Sequence, residues 1–489
     1  MFTPDFFAAN LFEGIRLILA GWWIYTPLVL VYLAAENWKY YLIIAKLKST
    51  QWVLLEIRIP RGIMKSPEAM ERVFTGFHGP YVPPEKFKEF YLEANVRLWY
   101  NLEIVGQSGD IRFYIYAPKK WRNVVEAQIY AQYPDVTISE ADDYTKSVPD
   151  DFLSEDYEMW GTEMQFAKED AYPITTYYDF KTLTEAKLEE VKVDPLSAFA
   201  ETLATLKHGE QIWFQILARP CGLPGKGPKD NWKDEAEQIV NKLAGREKPA
   251  KKKWWESLAE IVSAFIEEIP EHAAELAKPM SSSGERGLGR LYAAGAKKDD
   301  AKKDPSKLLH ITPGEKDVIA AIERKASKLG YEAVVRMIYV ARRDVFDPSG
   351  IGSLFGMIKQ FNTQHLNAFK PNGGTLTRTK DYLWGFYSSQ KYQNKIKRGL
   401  LYSYKHRTLF WDIKKILPFP DTMRIANAVS RFFYRLFPSQ VESMRSKPIV
   451  LNTEEMATLF HFPGETVSSP AMPRQQAKFG EPPINLPAG

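Results

Sequence analysis

Apolar positions in this chain keep first no period, then a period of two, then one of 3.6. Residues 17–35 read LILAGWWIYTPLVLVYLAA, without one charged side chain, and no comparable run follows in the 489 residues. At about 1.5 Å per residue such a run approaches the roughly 30 Å hydrocarbon core of a bilayer. The pattern predicts a single membrane-spanning helix from Leu17 to Ala35. Trp22 and Trp23 would lie near one interface, and Trp38, Tyr40 and Tyr41 near the other. Pro27 is tolerable there because neighbouring groups re-satisfy a freed backbone in a membrane. A cleaved signal peptide fits less well, since Asp5 and Glu13 precede the run and an amphipathic segment follows it. Lys39, Lys46 and Lys48 follow the span and only Arg16 precedes it. The positive-inside rule then predicts a single-pass protein of the inner, cytoplasmic membrane, its N-terminus outside and its body in the cytoplasm.

Alternation begins behind the anchor. WVLLEIRIP (52–60), LWYNLEIV (98–105), IRFYIY (111–116) and DVTISE (135–140) read as strands. Ser66-Pro67 opens one helix, and WRNVVEAQIYAQY (121–133) forms another. The order is βαββαβ, a ferredoxin-like split βαβ. A second, weaker copy is predicted from PITTYYDF (173–180) as strand, a helix capped by Asp194-Pro195, EQIWFQILAR (210–219) and EAVVRMIYVA (332–341) as strands, and a helix over 349–361. Each copy carries a basic pair after its third strand, Lys119-Lys120 and Arg342-Arg343. An insertion over 220–314 opens the hairpin of the second copy. Within it Trp254, Leu258, Val262 and Phe265 share one helical face. The opposite face carries Glu256, Glu260, Glu267 and Glu268, which favours docking on protein over anionic lipid.

The predicted fold class is thus α+β: a single N-terminal transmembrane helix, two ferredoxin-like units, the second with a long partly helical insertion, and a mixed C-terminal region. The boundaries drawn are 1–48 for anchor and juxtamembrane helix, 49–145 for the first unit, 146–172 for an acidic linker and 173–375 for the second unit. A helical and mixed region over 376–463 and a Pro-rich tail over 464–489 complete the chain. Asn452-Thr453-Glu454-Glu455 reads as a helix start.

Composition narrows function without naming it. A net charge of +5 on this length is no global nucleic-acid signature. Charge is uneven, however: residues 140–163 hold nine acidic side chains and one lysine, whereas 391–415 hold eight Lys or Arg and one Asp. In the basic stretch, Lys391, Lys395, Lys397, Arg398, Lys405 and Arg407 alternate with aromatics and are candidates for phosphate or acidic-partner contact. The alternatives are a membrane-surface face or a plain structural helix. Seven scattered histidines and the lone Cys221 give no metal-ligand spacing and no internal disulfide. Neither a P-loop nor a nucleophile elbow is present. No catalytic residue, cofactor or metal is expected.

Several segments together resemble a known family: WGTE (160–163) running on to KEDAYPITTY (168–177), EAQIYAQYPD (126–135), EQIWFQIL (210–217), LNTEEMATLFHFP (451–463) and PPINLP (482–487). They look like the N-terminal, non-ATPase portion of TraG/HerA-like type IV secretion or conjugation proteins of candidate-phyla bacteria, a domain of unknown function. The resemblance runs through most of 52–487 and transfers context rather than mechanism. In the family this region precedes a hexameric RecA-like ATPase, whose Walker lysine and acid have no counterparts here. The resemblance implies a non-enzymatic, membrane-anchored scaffold or adaptor partnering a separate TraG/HerA-like ATPase, with the lipid bilayer as a second partner. Self-association is left open. A nucleic-acid-handling membrane protein using 391–415 is the alternative.

Overall fold

The computed structural model describes residues 22–60, 65–80, 97–151, 156–180, 194–222, 231–245, 312–377, 389–408 and 446–463. Helix α1 (Trp22–Ser49) leads through two residues into β1 (Trp52–Arg58). Then come α2 (Pro67–Phe77), β2 (Tyr100–Gln107), β3 (Asp110–Pro118), α3 (Arg122–Gln132) and β4 (Thr137–Glu140). A second series follows: β5 (Tyr157–Phe166), α4 (Ser197–Ala204), β6 (Glu210–Cys221), α5 (Trp232–Leu243), α6 (Pro313–Ser327), β7 (Gly330–Arg342), α7 (Ser349–Lys359) and β8 (Phe369–Pro371). The described chain closes with α8 (Ser389–Lys405), β9 (Ile449–Asn452) and α9 (Thr453–Leu459).

The strands form one antiparallel sheet in the order β4-β1-β3-β2-β6-β7-β5-β8, with β9 added on β7. Each half repeats one arrangement, mirrored about the β2–β6 pair. There Tyr100 lies opposite Ala218 and Gln107 opposite Gln211. Each half thus covers an edge strand that the other would otherwise leave unpaired. The protein is a mixed α+β structure built on this sheet.

Side chains alternate across a strand, so each face has its own core. Val53, Leu55 and Ile57 of β1 face one way and pack in a cluster with Phe74 of α2, Ile129 of α3, Phe199 of α4, Ile358 of α7 and Met456 of α9. Leu54, Val105, Trp213 and Val340 face the other way and meet Ile396, Leu400 and Tyr404 of α8. The capping box predicted at Asn452 is present: its side chain accepts from the Glu455 amide, and the Glu455 carboxylate accepts from the Asn452 amide.

Two expectations change. Residues 173–180 do not form a strand. The Ile174 amide donates to Glu455 Oε1 and the Tyr177 amide to Thr458 Oγ1, so side chains of α9 take the place of a ladder. The first strand of the second half is instead β5, inside the stretch read as an acidic linker. Among the described residues no helix is long and apolar enough to cross a membrane. The described run from Trp22 to the first charge at Glu36 covers only about 21 Å at 1.5 Å per residue, and Leu17 lies outside the described residues. By compactness the chain divides into Met1–Ala236 with Ala320–Gly489, and a separate unit Glu237–Ile319. Trp254, Leu258, Val262 and Phe265 lie outside the described residues.

Candidate functional site

Four central strands each carry one polar side chain at the same level of the sheet. Glu103 of β2 lies opposite Gln215 of β6, Gln215 opposite Arg336 of β7, and Arg336 opposite Glu163 of β5. All four are buried. Arg336 Nε donates to Glu163 Oε1 at 2.7 Å, and its Nη1 donates to Gln215 Oε1 and to the Ser403 carbonyl, each at 3.1 Å. Gln215 Nε2 donates to Glu103 Oε1 at 3.0 Å and to the Tyr404 carbonyl at 3.2 Å. The rank therefore ties both half-sheets to the end of α8.

Arg407, just beyond α8, closes the network. Its Nε donates to Glu103 Oε1 at 2.9 Å and its Nη1 to Asp143 Oδ2 at 2.8 Å. Tyr144 Oη donates to Glu103 Oε2 at 2.9 Å and shares a 2.8 Å bond with Tyr404 Oη. Burial alone would weaken the charge on Arg407, but Glu103 and Asp143 outweigh it and hold the guanidinium well above its usual range. Burial likewise raises the Asp143 carboxyl, yet the bonds from Arg407 and Thr145 win and keep it below the ordinary carboxylate value. Burial, then the charge of Glu103, drives the Tyr144 and Tyr404 phenols well above theirs. These four groups therefore hold fixed protonation states at neutral pH. Such a network suits rigidity rather than proton transfer. Two atoms in it, Arg336 Nη2 and Glu163 Oε2, have no hydrogen-bond partner among the described residues.

The residues singled out in the basic stretch are placed against the acidic block. Lys397 pairs with Glu158, Arg398 with Asp151 at 2.7 Å, Lys405 with Asp150 at 2.7 Å, and Arg407 with Asp143. Lys395 is half-buried on α8, and the side chain of Lys391 lies outside the described residues. The two charge blocks, remote in sequence, neutralise one another. This leaves fewer free cations for a phosphate backbone than the sequence offered. The buried rank escaped the sequence reading, although each strand signals it as one polar residue in an apolar run: Glu103 in LEIV, Gln215 in WFQIL, Arg336 in VVRMI and Glu163 in GTEM.

Of the anchor residues, Trp23 and Pro27 are exposed on α1, Ala35 is half-buried, and the side chain of Trp22 lies outside the described residues. Among the described residues the exposed large apolar side chains are Trp23, Leu30, Val31, Trp38 and Tyr41, all on α1, together with Tyr130 and Tyr178. No group of three or more His, Cys, Asp or Glu side chains could hold a metal ion among the described residues.

One family model matches the chain over residues 44–372, and its description is Domain of unknown function (DUF8128). No curated protein and no solved structure matches it.

Proposed function

The chain belongs to the DUF8128 family, and on that premise we propose that it is a membrane-anchored cytoplasmic scaffold of a type IV secretion-like system, working beside a separate TraG/HerA-like ATPase. The observation that carries the membrane part is α1. Trp23, Leu30 and Val31 stand 63%, 58% and 68% exposed on it, whereas comparable side chains off α1 among the described residues are buried or half-buried apart from Tyr130 and Tyr178. An exposed apolar set of this kind calls for a bilayer or a partner surface. The apolar run of the sequence continues upstream to Leu17, which brings its length near that of a bilayer core. The scaffold part is supported by the fixed charge network and by a sequence without a phosphate loop. The sheet order also supports reading each half as a ferredoxin-like unit, the two joined edge to edge. The internal pairing of Lys397, Arg398, Lys405 and Arg407 makes the nucleic-acid alternative the weaker one.

A reporter active only in the cytoplasm, fused after Gly489, tests the topology, with protease added to intact cells as the complement. Activity with protection supports the reading, and digestion of the tag reverses the orientation. Magnesium-dependent ATP hydrolysis by the purified chain, persisting after removal of contaminating ATPases, would sink the scaffold role.

A further inference from the structure

Where α1 meets the sheet there is an open cleft of about 400 Å³, lined among others by Lys46, Ser49, Thr50, Gln51, Lys119 and Lys120. Among the described residues no acidic side chain lines it. Lys46, Lys119 and Lys120 have no ion pair among the described residues, unlike Lys397, Arg398, Lys405 and Arg407. Two of the local backbone carbonyls are already engaged. The Lys46 carbonyl accepts from the Thr50 amide, Thr50 Oγ1 and Ser49 Oγ, and the Gln51 carbonyl accepts from the Lys119 amide.

The second half of the sheet supplies a comparison. Its basic pair, Arg342-Arg343, straddles the end of β7, Arg342 being the last residue of that strand, whereas Lys119-Lys120 comes just after β3. There Arg342 lies 3.1 Å from Asp344, and Arg343 donates to the Tyr157 carbonyl. The basic pair at this end of the strand is thus met by an ion pair and a carbonyl in one half, and has no ion pair among the described residues in the other.

We infer that the cleft formed by Lys46, Lys119 and Lys120 binds a phosphate group carried by a soluble molecule. Three lysines on one cleft, with no carboxylate among its described lining residues, fit a multiply charged phosphate, for which lysine acts as a point-charge ligand; Lys120 Nζ also lies over the Trp121 ring, 5.6 Å from its centroid. The choice of a soluble source rests on the membrane reading. Lys46 is eleven residues past Ala35, about 16 Å along the helix, whereas a headgroup layer is only about 5–7 Å deep.

The test uses the full chain in phosphatidylcholine nanodiscs, titrated with pyrophosphate by calorimetry. Saturable binding is expected. It should weaken about tenfold or more in Lys119→Ala/Lys120→Ala, since each charge-assisted contact is worth roughly that factor. It should be unchanged in Arg342→Ala. Nanodiscs containing phosphatidylserine should leave the affinity unchanged, and competition by them would overturn the soluble source in favour of a lipid phosphate. No saturable heat, or equal affinity in the double variant, overturns the proposal itself. The same titration on lipid-free chain separates its failure from that of the membrane reading.

Discussion

Arg336 and Glu163 are fully enclosed, and an ion pair in such a place is costly to break from one side. Removing the guanidinium strands a carboxylate where neither water nor another cation reaches it. Arg336→Met should cost about 3–5 kcal/mol in urea unfolding. Adding Glu163→Gln should return part of that loss, because the remaining group is neutral. Equal stabilities for the single and double variants would show that the stranded charge is not the cause. His78 provides a pH-dependent counterpart. It is 6% exposed, and its Nε2 donates to the Cys221 and Gly330 carbonyls, each at 3.3 Å. Burial lowers its pKa below the ordinary 6.5, against the raising effect of those two bonds. Between the two values the unfolded chain takes up a proton that the folded chain refuses. Stability should therefore fall as pH drops below about 6.5, and level off once the folded value is passed. His78→Gln should flatten this part of the melting-temperature profile, and an unchanged slope would remove His78 from the account.

At the scale of elements, α8 depends on one close approach. A Cβ on Gly161 of β5 would stand 2.7 Å from Leu400 Cδ2 and 3.0 Å from the Met337 carbonyl. Gly161→Ala should cost about 1–3 kcal/mol and expose α8 to trypsin at Lys395, Lys397 and Arg398. Leu400→Ala in the same chain should relieve the side-chain part of the clash. Gly352→Ala is the control, since nothing lies within 4 Å of its added methyl. Unchanged trypsin resistance in Gly161→Ala would mean that α8 is held by its ion pairs alone. The same element explains what the sequence could and could not tell. β1, β2 and β3 lie where alternation places them, and the β2–β3 hairpin turns at Ser108 and Gly109, φ +50° and +90°. β5 was hidden because Gly161, Thr162 and Glu163 are all buried, so its polar positions do not alternate with solvent. The role of α8 was hidden for a related reason. Its charges read as a surface, while their partners sit some 240 to 265 positions earlier in the chain.

On the scale of the whole molecule, the insertion has to be divided between what the sheet needs and what it carries. The sequence places both edges of the insertion, 220 and 314, in loop-like composition. Yet Trp232 at the start of α5 is 1% exposed and packs with Cys221 and Val450. It lies so close over the backbone of β6 and β7 that a Cβ on Gly222 or on Gly330 would come within 2.7 Å of its indole nitrogen. On the far side, Ile322 and Lys325 of α6 are buried, and Lys325 pairs with Glu455 at 3.0 Å. Both flanks of the insertion therefore belong to the core. Replacing 246–311 with a short Gly-Ser connector should leave the melting temperature within a few degrees, because loop closure costs only about 0.6 kcal/mol per doubling of length. Trp232→Ala in the intact chain should cost about 3–5 kcal/mol, and a deletion extended to 223–311 should lose at least as much. Unfolding by the shorter deletion would place part of 246–311 in the core. A harmless Trp232→Ala would mean instead that the indole only covers two strands that hold together without it.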